Sequence, residues 1–258
     1  MQPWDEILET ALTSAKAAGE ILSTAWQGPK QVRYKGDINL VTEFDLAAEK
    51  AIVTLISRTF PDHIIVAEEG GQTNTSSPYR WYIDPLDGTT NFAHGFPVFA
   101  VSIAFEAPGP NGPEVKVGVI FDPLRQEMYQ AVKGQGAYLN HHPLKVSRET
   151  DLDHALLATG FPYDLRLNPE PVMSRFRAIS LAVQGVRRAG SAALDLAWLA
   201  AGRFDGFWEE KLHPWDTAAG TLLVLEAGGR VTDFSDRPYV PTGQEILATN
   251  GLLHYNII

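Results

Sequence analysis

The spacing of hydrophobic residues predicts two helices near the start of the chain. Apolar residues recur every three or four positions over 4–26, the period of one helix face, and acids stand at its start, where the helix dipole favours negative charge. A second helix is predicted over 43–58, before Pro61, because proline cannot continue a helix. The intervening segment 30–40 is polar and contains Gly36, which predicts a loop.

Shorter apolar runs predict a series of strands in the rest of the first half. They are bounded by turn-forming residues, and the first two of them stop at acidic sequences. The predicted strands are 63–67, 80–83, 98–105, 115–121, 127–132 and 137–139. Most of this region therefore reads as one sheet of consecutive strands.

In the second half, strands and helices alternate. The predicted strands are 155–159, 186–188, 204–208, 230–234 and 245–249, and the predicted helices are 171–184, 191–201 and 214–227. The chain thus contains both consecutive strands and strands that alternate with helices. This order favours an α/β (α+β) fold of mixed sheets layered with helices and argues against a repeating βα barrel. No linker is apparent, so 1–258 is predicted to be one compact unit whose halves, about 1–140 and 141–258, meet near 140–150.

Charge and composition narrow the functional classes. The 258 residues carry a net charge of −10, from 21 Lys and Arg against 31 Asp and Glu. We expect no nucleic-acid partner, because phosphate backbones require a basic surface. An acidic excess suits a protein that collects divalent cations, although solubility alone explains it equally well.

Other classes of site are excluded by residues that the sequence lacks. It has no Cys, which rules out disulfides, thiolate metal sites and cysteine nucleophiles. It has no Gly-x-Ser-x-Gly elbow, so a serine hydrolase is unsupported. It shows neither a targeting segment nor an apolar run of membrane-spanning length, and we expect a cytoplasmic protein without a membrane partner.

The most informative motif is the nine-residue sequence Asp-Pro-Leu-Asp-Gly-Thr-Thr-Asn-Phe at 84–92. It places Asp84 and Asp87 in a turn after a strand, where both carboxylates and the carbonyl of Leu86 can bind a hard cation such as Mg²⁺. Thr89 and Thr90 stand where a helix would start, and the backbone N–H groups there suit an anion such as phosphate. The alternative is a capped turn in which both aspartates bind only backbone N–H groups.

Three further acidic elements occupy similar positions. Glu68 and Glu69 follow a strand and point opposite ways on an extended chain, so one can reach a metal and the other a second metal or a water. Asp216 lies in the first turn of a predicted helix that begins at Pro214. Asp45 completes a capping-box spacing with Thr42. The alternatives are a solvated loop for the glutamates and ordinary helix capping for the two aspartates.

The shared placement of these acids changes their interpretation. All of them fall at strand ends or helix starts, where sites gather in layered α/β proteins. The six carboxylates are Asp45, Glu68, Glu69, Asp84, Asp87 and Asp216. If they converge, their repulsion is tolerable only with two or more divalent cations among them. Arg187 and Arg188 can meet a substrate phosphate, but a surface pair is the simpler interpretation.

Three motifs together resemble the signatures of the inositol monophosphatase family. They occur in the family's order, and the similarity spans nearly the whole chain. The motifs are Glu68-Glu-Gly, Asp84-Pro-Leu-Asp-Gly-Thr-Thr-Asn-Phe and Trp215-Asp-Thr-Ala-Ala-Gly. The resemblance implies a five-layer αβαβα sandwich, a homodimer, lithium sensitivity and hydrolysis of the phosphate monoester of a small metabolite with two to three Mg²⁺ ions.

The same resemblance implies roles for individual residues. Glu68, Asp84 and the Leu86 carbonyl would bind one metal, while Asp84, Asp87 and Asp216 would bind a second and Glu68 a weaker third. Asp45 and Thr89 would orient the attacking water. Phosphate and substrate hydroxyl groups would be contacted by Gly88, Thr89, Gly190, Ser191, Ala192, Glu209 and Asp216.

The resemblance leaves the substrate open. Inositol 1-phosphate is favoured by the run from Glu209 to Asp216, and relatives act on fructose 1,6-bisphosphate, histidinol phosphate, NADP or 3′-phosphoadenosine compounds. Phosphatases of the haloacid dehalogenase type also use paired aspartates, but these are separated by one residue, whereas two separate Asp84 from Asp87. A non-enzymatic, metal-stabilised regulatory protein on the same scaffold is the alternative of another class.

Overall fold

The computed structural model describes residues 4–28, 32–34, 40–73 and 75–258, and only the backbone of 32–34, 40 and 41. In chain order the first half forms α1 (Asp5–Trp26), β1 (Val32–Tyr34), β2 (Leu40–Thr42), α2 (Glu43–Thr59), β3 (Ile64–Ala67), β4 (Gly71–Gln72), β5 (Arg80–Asp87), α3 (Thr89–His94), β6 (Ala100–Gly109), β7 (Gly112–Asp122), β8 (Glu127–Val132), β9 (Ala137–Leu139) and β10 (His142–Pro143). The second half forms a 3₁₀ turn (Leu152–His154), β11 (Leu156–Thr159), α4 (Val172–Ser180), β12 (Gly185–Arg187), α5 (Ala192–Ala200), β13 (Gly206–Glu210), α6 (Pro214–Glu226), β14 (Arg230–Thr232), β15 (Glu245–Thr249) and α7 (His254–Ile257).

Two mixed sheets separate three layers of helices. The larger has the strand order β10-β9-β8-β7-β6-β5-β3-β4, and the smaller has the order β12-β11-β13-β15-β14. One hydrophobic core joins α1 and α2 to the larger sheet, and a second places α5 and α6 between the two sheets. A third core packs Phe176 and Ile179 of α4 against the outer face of the smaller sheet. The predicted αβαβα sandwich is confirmed.

Helix α1 shows how the sequence pattern produces this layering. Its buried face carries Ile7, Ala11, Ser14, Ala15, Ala18, Gly19, Leu22 and Ala25, at helical spacing. Glu9, Lys16 and Glu20 lie on the exposed side. Each large apolar side chain removed from water stabilises the fold by about 1.5–3 kcal/mol, so this one-sided burial holds the helix to the sheet. Among the helices in the described ranges, none has both the length and the apolar composition of a membrane span.

Most differences from the sequence prediction lie at the site or at short strands. The predicted loop 30–40 contains β1, which pairs antiparallel with β2, while 30, 31 and 35–39 lie outside the described residues. Strand β5 does not stop at Ile83, as predicted, but continues through Asp87 with an irregular register. The helix predicted over 171–184 ends at Ser180. Strands β4 and β10, with two residues each, were too short to leave a hydrophobic period.

Candidate functional site

Two parallel strands bring the first acidic residues together. β3 pairs parallel with β5, with Ala67 opposite Ile83, and the N–H of Glu68 donates a 3.1 Å hydrogen bond to the Ile83 carbonyl. The carboxyl ends of the two strands therefore lie side by side. This register places Glu68 next to Asp84 in space although 15 residues separate them along the chain.

A β-bulge redirects the chain between Asp84 and Asp87. Asp84 lies opposite Ser102 of β6, but Asp87 lies opposite Ala100, so three steps on β5 match two on its partner. Pro85 in this segment has no N–H to give to a ladder. Bulges increase the local twist and change the direction of side chains, and they are frequent beside active sites. The Asp84 carboxylate accepts the Leu86 N–H at 2.9 Å, which fixes it within the bulge.

The Asp87 carboxylate is held by the second half of the chain. Its Oδ2 atom accepts hydrogen bonds from the Ser191 hydroxyl at 2.6 Å and from the Ala193 N–H at 2.7 Å, at the start of α5. The side chain of Asn91 strengthens the same junction by donating to the carbonyl of Ala189 at 2.8 Å. The predicted residues Ser191 and Ala192 therefore lie beside Asp87.

Thr89 and Asp45 form a hydrogen-bonded pair. The Thr89 hydroxyl oxygen lies 3.0 Å from both Asp45 Oδ1 and the Leu86 carbonyl oxygen, and it donates its proton toward these acceptors. Asp45 is fully buried, and its other oxygen accepts the Thr42 N–H at 2.8 Å as part of a capping box. The capping alternative for Asp45 and its predicted site role are thus compatible, because each uses a different carboxylate oxygen.

Gly88 allows the turn between the bulge and α3. Its φ of +98° is disfavoured for residues with a side chain, and a Cβ there would lie 2.9 Å from the Val98 carbonyl oxygen. Helix α3 follows directly, and the Phe92 N–H donates to the Gly88 carbonyl at 3.0 Å. The backbone N–H groups of the first helical turn have no carbonyl one turn earlier, as anion binding requires. Thr90 is exposed at this turn.

Asp216 reaches the site from α6. Its carboxylate accepts the His213 N–H at 2.7 Å in a capping box at the helix start, and Ser102 of β6 donates to the Trp215 carbonyl at 2.9 Å. The Asp216 carboxylate also lies 3.7 Å from Nδ1 of the His213 ring and raises the pKa of His213, a residue that the sequence analysis did not assign to the site. The His213 ring stacks on Trp215 with a centroid distance of 4.7 Å.

Burial and neighbouring negative charges raise the pKa values of the aspartates at the site. Burial raises the pKa of Asp84 well above its usual value, and the charges of Glu68, Asp87 and Asp216 raise it further. Burial and the charge of Asp216 raise the pKa of Asp87 to about 7. Ionised groups that repel in a partly desolvated space are stabilised by a bound cation. Glu69 contacts α2 through its backbone, because its N–H donates a 2.8 Å hydrogen bond to the Glu49 carboxylate.

These residues fit a hard divalent cation by their donor chemistry. The donors are carboxylate oxygens and the Leu86 carbonyl, the ligand types that Mg²⁺ prefers. In the described ranges, no group of three or more His, Asp and Glu side chains has the arrangement of a formed metal site. The ligand set shared by Asp84, Asp87 and Asp216 stays a prediction.

Glu209 and Asp195 add two buried acids at the second-half side of the site. The Glu209 carboxylate packs over Gly160, where a Cβ would lie 2.1 Å from its Oε1 atom. Burial, followed by the charges of Asp216 and Asp87, raises the pKa of Glu209 to about 8. Asp195 is only 1 % exposed, and burial and the charge of Glu209 raise its pKa as well. The sequence analysis missed Asp195, because it stands alone in an otherwise apolar helix.

The sequence analysis missed Tyr163 and named Arg188 only as one of a surface pair that can meet phosphate. The pKa of Tyr163 is raised to about 12, first by desolvation and then by the charges of carboxylates, with Glu68 the largest. Arg188 is exposed, lies 5.7 Å from the centroid of the Phe161 ring, and lowers the pKa of Glu209 by its charge. Neither residue lies in one of the three motifs, so only the folded chain shows that both lie near the acidic residues.

We expect Glu209→Gln to make the metal-free protein more stable at pH 8 than wild type, and to change it little near pH 5. The wild-type glutamate ionises in the unfolded state above about pH 4.5, but in the folded state it holds its proton until about pH 8. Because the folded state binds this proton more tightly than the unfolded state does, the stability of wild type is greatest below the unfolded-state pKa. That stability falls as the pH rises toward 8. The difference should grow by on the order of 1 kcal/mol per pH unit across this window.

Urea unfolding with a chelator, at intervals from pH 5 to pH 8.5, measures this difference. Glu43→Gln is the matched control, because Glu43 is an exposed glutamate on α2. Its free energy of unfolding should run parallel to that of wild type. If the free energy of unfolding of Glu209→Gln also ran parallel to that of wild type over this pH range, the raised pKa of Glu209 would be contradicted.

Comparisons with known proteins agree with the fold and with the family resemblance of the sequence. The family model for the inositol monophosphatase family matches residues 3–258. An inositol-1-monophosphatase of Synechocystis is 44 % identical over 262 residues, covering 100 % of this chain and 88 % of the relative. Nus factor SuhB of Pseudomonas aeruginosa is 46 % identical over 242 residues, covering 91 % of this chain and 87 % of the relative.

A solved structure shows the same similarity in three dimensions. The inositol monophosphatase of Anabaena superposes with a TM-score of 0.88 at 43 % identity, covering 98 % of this chain and 93 % of that one. Fold, motifs and sequence similarity over the full length agree. The chain belongs to the inositol monophosphatase family and is a phosphatase of that family.

Proposed function

We propose that the chain hydrolyses the phosphate monoester of a small polyol, with inositol 1-phosphate as its first substrate, in a reaction that depends on Mg²⁺. The observation that carries the proposal is that the parallel pairing of β3 and β5 brings Glu68 beside Asp84, close to the hydrogen-bonded Thr89–Asp45 pair. The acidic residues provide cation ligands, and the Thr89–Asp45 pair can hold and accept a proton. A relative of similar length named inositol-1-monophosphatase supports the choice of substrate.

The cations are proposed to lie among five residues. Glu68, Asp84 and the Leu86 carbonyl would hold one ion, Asp84, Asp87 and Asp216 a second, and Glu68 a weaker third. Bound divalent cations lower the pKa of water and neutralise the charge on phosphate and leaving oxygens. Two to three Mg²⁺ ions match the negative charge that these carboxylates bring together.

The chain's own residues would position the reactants and move protons. Thr89 donates to Asp45 Oδ1, so the lone pairs of its hydroxyl oxygen can accept a proton from a water as its own proton passes to the carboxylate. Burial raises the pKa of Asp45 and so increases its affinity for that proton. The N–H groups of Gly88 and Thr89 are proposed to bind the phosphate. Asp216 would lie near the leaving oxygen.

A screen of phosphate release from a panel of metabolites tests the proposal. The panel contains inositol 1-phosphate, fructose 1,6-bisphosphate, histidinol phosphate, NADP and a 3′-phosphoadenosine compound, each with and without Mg²⁺ and Li⁺. Mg²⁺-dependent release, fastest from inositol 1-phosphate and inhibited by Li⁺, is the expected result. No Mg²⁺-dependent release from any substrate would reject the proposed activity, and faster release from another would correct the substrate.

We expect Glu209→Ala to alter substrate choice more than turnover. The Glu209 carboxyl group lies on the second-half side of the site beside Gly160, where it can accept hydrogen bonds from substrate hydroxyl groups. A site that binds a hydroxyl group discriminates strongly, because its polar atoms are left unpaired by the wrong substrate. The ratio of kcat/KM for inositol 1-phosphate to that for fructose 1,6-bisphosphate should fall by roughly 10-fold or more. An unchanged ratio would refute this role.

Relatives named Nus factor SuhB support a second, regulatory role for the same chain. We propose RNA polymerase as the partner to test. Co-migration of the purified chain with RNA polymerase in size-exclusion chromatography would support this role, and separate elution would count against it. The same experiment, with light scattering, measures whether the chain alone forms the proposed homodimer.

A further inference from the structure

We infer that Glu49 is a positioning residue that holds the Glu68–Glu69 turn in register with the Thr89–Asp45 pair for cation binding. The inference rests on the proposed function, because it concerns the turn that carries the proposed ligand Glu68. It adds a residue that lies outside the three sequence motifs. Glu49 touches neither substrate nor the reacting atoms, and its effect passes through the backbone of the turn.

Glu49 and Asp45 lie on one face of α2. Both are buried, with Asp45 at 0 % and Glu49 at 7 % exposure. Residues four apart lie one above the other on a helix, about 6 Å apart along its axis. One end of this short segment accepts the Thr89 hydroxyl through Asp45, and the other end faces the turn after β3.

The contact between Glu49 and the turn is close and charge-assisted. The Glu69 N–H donates to Glu49 Oε2 at 2.8 Å. On the other side of the carboxylate, a Cβ on Gly70 would lie 2.7 Å from Oε1, so a side chain at that position would displace the carboxylate. The carboxylate is thus packed against the backbone of the turn. A hydrogen bond to an ionised acceptor is roughly twice as strong as one between neutral groups.

Glu49 binds the backbone of the turn that carries Glu68, so it can set the direction of that proposed ligand. Groups that orient metal ligands without binding the metal typically change metal affinity by about 10- to 100-fold. The same range is therefore expected for a variant that loses this contact.

Direct Mg²⁺ titration calorimetry on the full chain tests the inference. We expect Glu49→Ala to weaken Mg²⁺ binding by about 10- to 100-fold, and Glu49→Gln to weaken it less, because the glutamine oxygen still accepts the Glu69 N–H. Glu43→Gln removes a charge from the exposed side of the same helix and should leave the affinity within about twofold of wild type. At saturating Mg²⁺, the kcat of Glu49→Gln should return close to that of wild type.

A second variant reaches the same contact by a steric route. Gly70→Ala places a methyl group against the Glu49 carboxylate and should weaken Mg²⁺ binding by roughly 10-fold without changing charge. If Glu49→Ala does not fold, Glu49→Gln and Gly70→Ala decide the question. Mg²⁺ affinities within about twofold of wild type in the folded variants would overturn the inference.

The two proposals fail in different ways. If wild type releases phosphate with Mg²⁺ but the variants bind Mg²⁺ as wild type does, the proposed function stands and the role of Glu49 is wrong. If wild type binds Mg²⁺ and the variants weaken that binding, but no substrate is hydrolysed, the role of Glu49 stands and the proposed activity is wrong. A wild-type protein that binds no Mg²⁺ rejects both.

Discussion

Replacing Asp87 by Asn should lower kcat by roughly 10³-fold or more, equal to about 4 kcal/mol of transition-state stabilisation. The asparagine oxygen can still accept the hydrogen bonds from Ser191 and Ala193 that hold the native carboxylate. What the variant lacks is the negative charge that a cation requires as a ligand. Turnover is measured by phosphate release at saturating Mg²⁺ and saturating substrate.

The same variant carries its own test of folding. Asn removes a charge that repels Asp84 and Asp216, so the metal-free protein should become more stable while activity is lost. Asp122→Asn is a matched control, because Asp122 is a fully buried aspartate that accepts the Leu124 and Arg125 N–H groups in a turn outside the site. That control should lose stability and keep turnover. Turnover of Asp87→Asn near that of wild type would reject Asp87 as a ligand.

Local sequence signals were sufficient to predict mixed sheets layered with helices, whereas the five-layer order was implied by the family resemblance. The spacing on α1 predicted both the helix and its buried face, because a one-sided apolar stripe determines which way a helix packs. The register of the larger sheet could not be predicted from local signals alone. The bulge between Asp84 and Asp87 depends on how β5 aligns with β6, and no residue of the motif alone shows that one extra position is accommodated there.

Some site residues could be predicted from the sequence, and others could be identified only from the folded chain. Asp84, Asp87 and Thr89 lie in one motif, so their proximity follows from the local chain. Glu49 and Asp195 resemble ordinary helix residues in the sequence. Their position becomes visible only when long-range packing brings α2 to the turn after β3, and α5 to Asp87.

Asp45 illustrates why two interpretations of one residue can both hold. The sequence offered capping or a site role, and the structure assigns one carboxylate oxygen to each partner, Thr42 and Thr89. The cap fixes the side chain, because a buried carboxylate with a backbone donor has few other orientations. A proton acceptor must be held within a fraction of an ångström to be effective, so the helix cap would contribute directly to the proposed reaction.

In the proposed reaction, the hydroxyl group of Thr89 links Asp45 to the attacking water. Replacing Thr89 by Val keeps the shape of the side chain but removes the donor to Asp45 and to the Leu86 carbonyl. We expect kcat to fall by about 10²- to 10⁴-fold, the usual contribution of a positioned proton-transfer group. Calorimetric Mg²⁺ affinity should change little, because the threonine side chain is not a proposed ligand. Thr89→Ser keeps the hydroxyl group and should retain kcat within about 10-fold. A kcat for Thr89→Val within about threefold of wild type would show that proton transfer does not pass through this pair.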